Sequence, residues 1–290
     1  MNWRRAKNLL IVSFLLLDIM LVWLYAGLRA DARAQVTRTG MDPAIEQQLA
    51  SNNISLETDL PRDTPELAVL KVGLVRQNPY PLASAFFGTL EGVEIERPDD
   101  PLLQASFKRS REELHIYRSG VTVYTRRAGS ETGGGDQTEA EAEKKAREFL
   151  TRHGGIAGLQ LMSTTPYRRS GTYLVEFAPY WAGYPLVGAS GAVLVVTPAG
   201  VENCWRRSLT VFGESGTRRT VISAEAALQA LALERPRPET VPLTIKGITL
   251  GYYNKIYNAD YWEAPPVWQI WTGGDTYFYI NAFTGEPEIW

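Results

Sequence analysis

Residues 8–28, NLLIVSFLLLDIMLVWLYAGL, constrain this chain more than any other stretch. Leu9 to Leu28 gives 20 residues, about 30 Å as a helix, which matches the hydrocarbon core of a bilayer. Arg4, Arg5 and Lys7 precede the run, and Arg29 and Arg33 follow it with Asp31 between them. With the free amino terminus, this balance predicts a cytoplasmic N-terminus and an extracytoplasmic remainder in a single-pass protein of the cell membrane. Trp3 lies near one interface, and Trp23 and Tyr25 near the other. A cleaved signal peptide is the rival reading, with ARA at 32–34 as its cleavage site. Its apolar region is normally about 7–15 residues, shorter than this run. The spacing therefore predicts a cytoplasmic tail over 1–8, a transmembrane helix over 9–28 and a juxtamembrane helix and linker over 29–60. A first extracytoplasmic α+β domain follows over 61–215 and a second α+β unit over 216–290.

Asp18 interrupts the apolar run. A carboxyl at the helix centre costs roughly 2.5–3.5 kcal/mol on insertion scales. It is either a tolerated residue, protonated and bonded within its own helix, or a contact for a partner helix that returns about 0.6–2 kcal/mol. On the second reading Phe14, Val22 and Tyr25 share its helical face and frame the contact.

The remainder has the make-up of a folded domain. Hydrophobic residues are 44% of the chain and charged residues 21%, enough for a packed core. Basic and acidic residues number 30 and 32, so no general field for a polyanion exists and nucleic acid is not an expected partner. Asp42-Pro43 reads as an N-cap with proline at the first helical position, opening DPAIEQQLA. LAVLKVGLV (67–75) reads as a strand, ERPDDP (96–101) as a loop, and 77–110 carries few signals. EELHIYRSGVTVYTRR (112–127) reads as a hairpin turning at Ser119-Gly120, with Ile116 facing Val123, His115 facing Tyr124 and Glu113 facing Arg126.

Two helices are expected near 138–153 and 223–234. Thr138 and Glu141 form a capping-box pattern, with Ala142, Ala146, Phe149 and Leu150 on one face and His153-Gly154 at the end. Ser223 caps the second helix, with Ile222 as a hydrophobic staple, Leu228 and Leu231 as the buried face and Pro236 as the stop. Thr138 to Gly200 and Ser223 to Gly285 both span 62 positions. At the same offset of 85, Gly188 falls on Gly273, Trp205 on Trp290, and Val193 and Val195 on Phe278 and Ile280. This predicts a repeated unit, a helix followed by antiparallel strands, in an α+β fold.

Signals for chemistry are sparse. The two histidines, His115 and His153, fall in a strand and at a helix end, outside any two-ligand metal pattern. Cys204 is the one cysteine and reads as a small strand residue. The GGG at 133–135 lacks the Lys-Ser/Thr of a phosphate loop, and Asp99 and Asp100 read as turn acids. No GxSxG elbow occurs. A non-enzymatic protein without cofactor or metal is expected. The aromatic stretch YYNKIYNADYWEAPPVWQIW (252–271) either packs a thin sheet against one helix or lines a carbohydrate or peptide groove.

The opening MNWRRAKNLLIVSFLLLDIMLVWLY resembles the N-terminus of the YycI family of two-component regulatory proteins. Its elements are Met-polar-Trp, a basic tail, and an apolar helix with an Asn or Asp in mid-membrane. PAIEQQLASNNI and FAPYWAGYPLVGASGAVLVVTPAG extend the likeness. The closing VWQIWTGGDTYFYINAFTGEP is similar to PepSY-like modules, which end in a strand and a D-x-x-T-G turn; Asn281 departs from the first position. The resemblance implies a regulator acting beside a YycH-like protein on a sensor histidine kinase, WalK, of a cell-wall homeostasis system. It carries over no catalytic residue. The alternative is an extracytoplasmic PepSY-like module that binds or inhibits a cell-surface hydrolase or captures a ligand.

Overall fold

The computed structural model describes residues 41–96, 100–127, 136–234, 242–255, 257, 259–273 and 276–288. Asp18, Phe14, Val22, Tyr25 and the expected membrane span lie outside them. Among the described residues, no helix is long and apolar enough to cross a membrane. The fold is mixed α+β, mostly sheet, with four helices among the described residues.

The helices are α1 (Pro43–Ser51), α2 (Pro79–Phe87), α3 (Glu139–Arg152) and α4 (Ala224–Glu234). Asp42 caps α1 through Ala44 N–H. Thr138 and Glu141 close the expected capping box on α3. Ser223 Oγ accepts from Ala226 N–H at the start of α4. Ala142, Ala146, Leu150, Leu228 and Leu231 are buried, whereas Phe149 is half-buried. The helix α2 falls in the stretch where few signals were read, although Asn78 and Pro79 repeat the Asp42-Pro43 device.

The first unit is an antiparallel sheet of β3 (Glu94–Glu96), β4 (Leu103–Arg109), β5 (Glu112–Tyr117), β6 (Val121–Arg126), β7 (Leu159–Pro166), β8 (Tyr173–Trp181), β10 (Gly191–Thr197) and β11 (Gly200–Arg207). Helices α2 and α3 cover one of its faces, over a core of Phe86, Phe107, Leu114, Leu150, Phe177 and Leu194. The second unit holds β9 (Tyr184–Gly188), β14 (Gly247–Asn254), β16 (Pro266–Gly273) and β17 (Thr276–Asn281). The β8–β9 hairpin, and the parallel pairing of β9 with β14, join the strands of both units into one 12-stranded sheet.

The offset of 85 carries the start of α3 onto the start of α4 and the start of β10, Gly191, onto that of β17, Thr276. Each helix is followed by three antiparallel strands side by side, β7-β8-β10 or β14-β16-β17, with β9 and β15 interposed in the chain and paired elsewhere. Gly188 and Gly273 both have positive φ, 83° and 106°. Trp290 lies outside the described residues.

The structure differs from expectation in two places. First, β2 (Glu66–Leu74) does not join the strands that follow it. It pairs with β12 (Leu209–Thr220) and β15 (Tyr261–Ala264), and Leu67, Leu70 and Val72 enter the second core. Leu49 of α1 and Ile54 of β1 (Ile54–Leu56) enter that core too, and β1 runs parallel to β13 (Leu243–Ile245). The stretch 29–60, expected as a juxtamembrane helix and linker, thus holds a helix that is itself packed structure from residue 41 onward, and residues 79–207, apart from β9, are inserted within the second body. Second, the hairpin register is shifted by one, so His115 faces Val123, Leu114 faces Tyr124 and Glu113 faces Thr125. The loop uses three residues, Arg118 to Gly120, with Gly120 at φ 77° and its N–H on Tyr117 O. A three-residue loop ending in a left-handed glycine moves every pair one step from a two-residue turn.

Candidate functional site

The side chains able to do chemistry are engaged in structure. Ser106 Oγ lies 3.2 Å from His115 Nδ1, and His115 Nε2 lies 3.8 Å from Glu113 Oε2. The order mimics a nucleophile, base and acid. However, Ser106 is only 4% exposed, the His–Glu separation exceeds a hydrogen bond, and Glu113 already pairs with Arg127 at 2.8 Å. His153 stacks on Phe86, with centroids 4.8 Å apart, and its Nδ1 lies 2.7 Å from Ala85 O. Burial lowers its pKa and keeps it neutral, against the pull of that carbonyl. Cys204 is buried, and burial pushes its thiol up to about 12, far from a reactive thiolate. Asp100 accepts from Leu102 N–H in a turn; Asp99 and the 133–135 glycines lie outside the described residues. No cluster of metal-ligating side chains occurs among the described residues.

The aromatic stretch divides between buried and exposed positions. Tyr252 and Trp268 are buried in the second core, and Trp268 Nε1 donates to Ile222 O at 2.9 Å. Tyr261 is 62% exposed, on β15. Asn281, the departure from the Asp of the closing turn, accepts from the N–H groups of Phe283 and Thr284, as an aspartate would. Its amide also donates to Glu288 Oε1 at 2.9 Å, which an aspartate cannot do.

Where the chain passes from β11 to β12, Arg207 is 1% exposed and binds three segments at once. It donates to Ser119 O (3.0 Å), Ala189 O (3.2 Å) and Lys255 O (2.8 Å), and its guanidinium lies 5.1 Å over Trp262. Burial lowers its pKa to about 10, still high enough to keep the charge. Asn254, fully buried, bonds Ala189 O through Nδ2 and accepts from Trp262 Nε1. On the other side of the seam Tyr277 donates to Glu176 Oε2 at 2.8 Å, joining β17 to β8. These bonds fix one unit against the other. The sequence reading missed Arg206 and Arg207. Consecutive arginines in a strand point to opposite faces, but that both faces are covered is visible only in the fold.

Next to this junction a cleft of about 400 Å³ opens between Leu74–Gln77, the β5–β6 hairpin and Ala259–Asp260. Arg76 and Asp260 pair at its rim. Gln104, Tyr117 and Arg118 line it, and Arg118 Nε is held by Pro101 O. Gln77 Nε2 lies 3.4 Å from Ser208 Oγ, while Gln77 Oε1 is buried with no hydrogen-bond partner. The cleft can therefore supply an amide acceptor, a cation and an aromatic side chain, with no nucleophile among its lining residues.

No protein-family model matches this chain, and no curated protein sequence matches it. Among solved structures, an uncharacterized protein from Eubacterium rectale ATCC 33656 has a similar fold, with a TM-score of 0.54 at 10% identity over 82% of this chain and 91% of that one. The likeness places the chain in a class of mixed α+β folds. The C-terminal domain of Bacillus megaterium YpeB aligns with a TM-score of 0.39 at 12% identity over 75% of this chain and 97% of that domain, too low to carry an argument.

Proposed function

We propose that the protein is a membrane-anchored, non-enzymatic regulator that acts by binding. The partners we propose are a WalK-like sensor histidine kinase and a YycH-like protein, engaged through the membrane helix and the external units. The N-terminal resemblance to the YycI family supports the partners. The observation that carries the mechanism is the docking of α1 and β1 into the second core. Only residues 29–40 separate the apolar run from this packed segment, a reach of at most about 40 Å. A force or displacement in the membrane helix would pass directly to the second unit, and from there across the Arg207 junction. The engagement of His115, His153 and Cys204 in packing and hydrogen bonds supports a role without catalysis. The second reading, an extracytoplasmic binding or inhibitory module, is favoured by the cleft.

Copurification from detergent tests both. Recovery of a sensor kinase and a second single-pass protein supports the first reading, and recovery of a soluble hydrolase supports the second. Asp18→Leu removes the polar cost of insertion while weakening association about 3- to 30-fold if Asp18 contacts a partner helix. Equal crosslinking of the parent and the variant at matched expression would remove Asp18 from the contact.

A further inference from the structure

On the sheet face beside the cleft, two aromatic rings flank a glycine. Phe212 is 61% exposed and Tyr261 62%. Tyr261 is the cross-strand partner of Gly73, and Phe212 bulges out of β12 over the same residue. A Cβ at Gly73 would lie 2.7 Å from Phe212 Cε2 and 2.5 Å from Asp260 O, so only glycine permits this close arrangement. Lys71 Nζ lies 4.3 Å over the Tyr261 ring, and Ser215 Oγ reaches Glu263 Oε1 at 3.3 Å on the same face. Asp260, whose carbonyl oxygen lies beside Gly73 on this face, also lines the cleft, so face and cleft adjoin.

We propose that face and cleft together bind a glycan of hexopyranose rings. The apolar C–H faces of the rings stack on Phe212 and Tyr261, and hydroxyl or acetamido N–H groups enter the cleft. Three features select this ligand class. Gln77 Oε1 is a buried acceptor without a donor, and a phosphate or carboxylate brings no donor to it. Arg76 is paired with Asp260, which leaves Arg118 as the surplus charge among the lining residues, suited to a neutral or singly acidic ligand. An extended peptide would add to the free edge of β12. That edge is broken by register shifts at Val211/Gly213 and Ser215/Arg219, which disfavour strand addition. The inference does not depend on the kinase partnership.

The test is calorimetric titration of the full chain, held in a detergent without a sugar headgroup, with tetra-N-acetylglucosamine and with cellotetraose; tetraalanine is the peptide probe. Saturable binding of at least one tetrasaccharide is expected. Phe212→Ala, Tyr261→Ala and Gln77→Leu should each weaken it about 3- to 10-fold with an unchanged melting temperature. These side chains lie outside both hydrophobic cores, so the variants should fold. No saturable heat with either sugar, affinity equal to the parent's in all three variants, or tetraalanine binding that the same substitutions weaken would overturn the proposal. Loss of sugar binding with intact copurification of membrane partners would separate this result from the fate of the regulatory reading.

Discussion

The two units use one plan with different continuity. The first builds its core from one stretch, residues 79–207, broken only where β9 leaves for the second unit, with Phe86, Leu150 and Leu194 all inside it. The second builds its core from chain on both sides of that stretch, with Leu49, Leu70 and Val72 before it and Leu228, Trp268 and Ile280 after it, and it also takes in Leu186 of β9. Their repeated helices show the consequence. The outer face of α3 is polar, with Glu143 and Arg147 paired at 2.8 Å and, among the described residues, no helix over it. The richly apolar α4, AEAALQALALE, lies against α1, where Gln229 Nε2 donates to Gln48 Oε1 at 3.1 Å. A helix covered on two sides needs apolar residues on two sides. The second unit is therefore the one that the N-terminal segment completes, and the first is carried on it.

The largest expected effect is at the seam. Arg207→Ala strands the carbonyls of Ser119, Ala189 and Lys255, at a cost offset by relief of the buried charge; a net loss of about 2–4 kcal/mol is expected. Calorimetric unfolding should separate into two transitions, one per unit. A single transition at the parent temperature would show that Arg207 does not couple them.

A smaller effect should distinguish the helix caps. Thr138 takes part in a reciprocal box, whereas Ser223 contributes one bond at 3.2 Å. Thr138→Ala should cost about 1–2 kcal/mol and Ser223→Ala about 0.5–1, read by urea unfolding. The reverse order would break the parallel drawn between α3 and α4.

The smallest effect is a dependence on pH. Both histidines of the chain, His115 and His153, belong to the first unit. His153 is held below its ordinary value by burial, so the unfolded chain binds its proton more readily. Its contribution is complete above the ordinary histidine value, about 6.5, and declines as pH falls through that value. Protection from hydrogen exchange, corrected for intrinsic rates, should fall between pH 7.5 and 5.5 in 139–152 more than in 224–234. His153→Phe, which preserves the stack on Phe86, should flatten that difference. Equal falls in both helices would contradict it.

Local elements were legible where caps and periodicity agree, as at Asp42-Pro43, Thr138–Glu141 and Ser223. The 85-residue offset exposed the repeat because both copies keep a helix start and a strand start in step. The helix at Pro79 was missed although Asn78-Pro79 carries the same local signal. The partners of β2 could not be read, since LAVLKVGLV says that a strand forms but not that its neighbours begin at residues 209 and 261. The hairpin register failed by one because Ser119-Gly120 fits both a two-residue and a three-residue loop. The cleft was hidden for a similar reason: Gln77, Arg118 and Asp260 meet only after the insertion has folded back.

The central claim is that the segment from residue 41 belongs to the second core and not to a free linker. Hydrogen exchange of the full chain carrying Leu49→Ala tests it most directly. A leucine 1% exposed should cost about 2–5 kcal/mol, and the loss should be local. Faster exchange is expected in 43–51, 54–56, 224–234 and 243–254, with 103–126 and 139–152 unchanged relative to the parent. Equal acceleration in both units, or acceleration confined to 43–51, would contradict the claim.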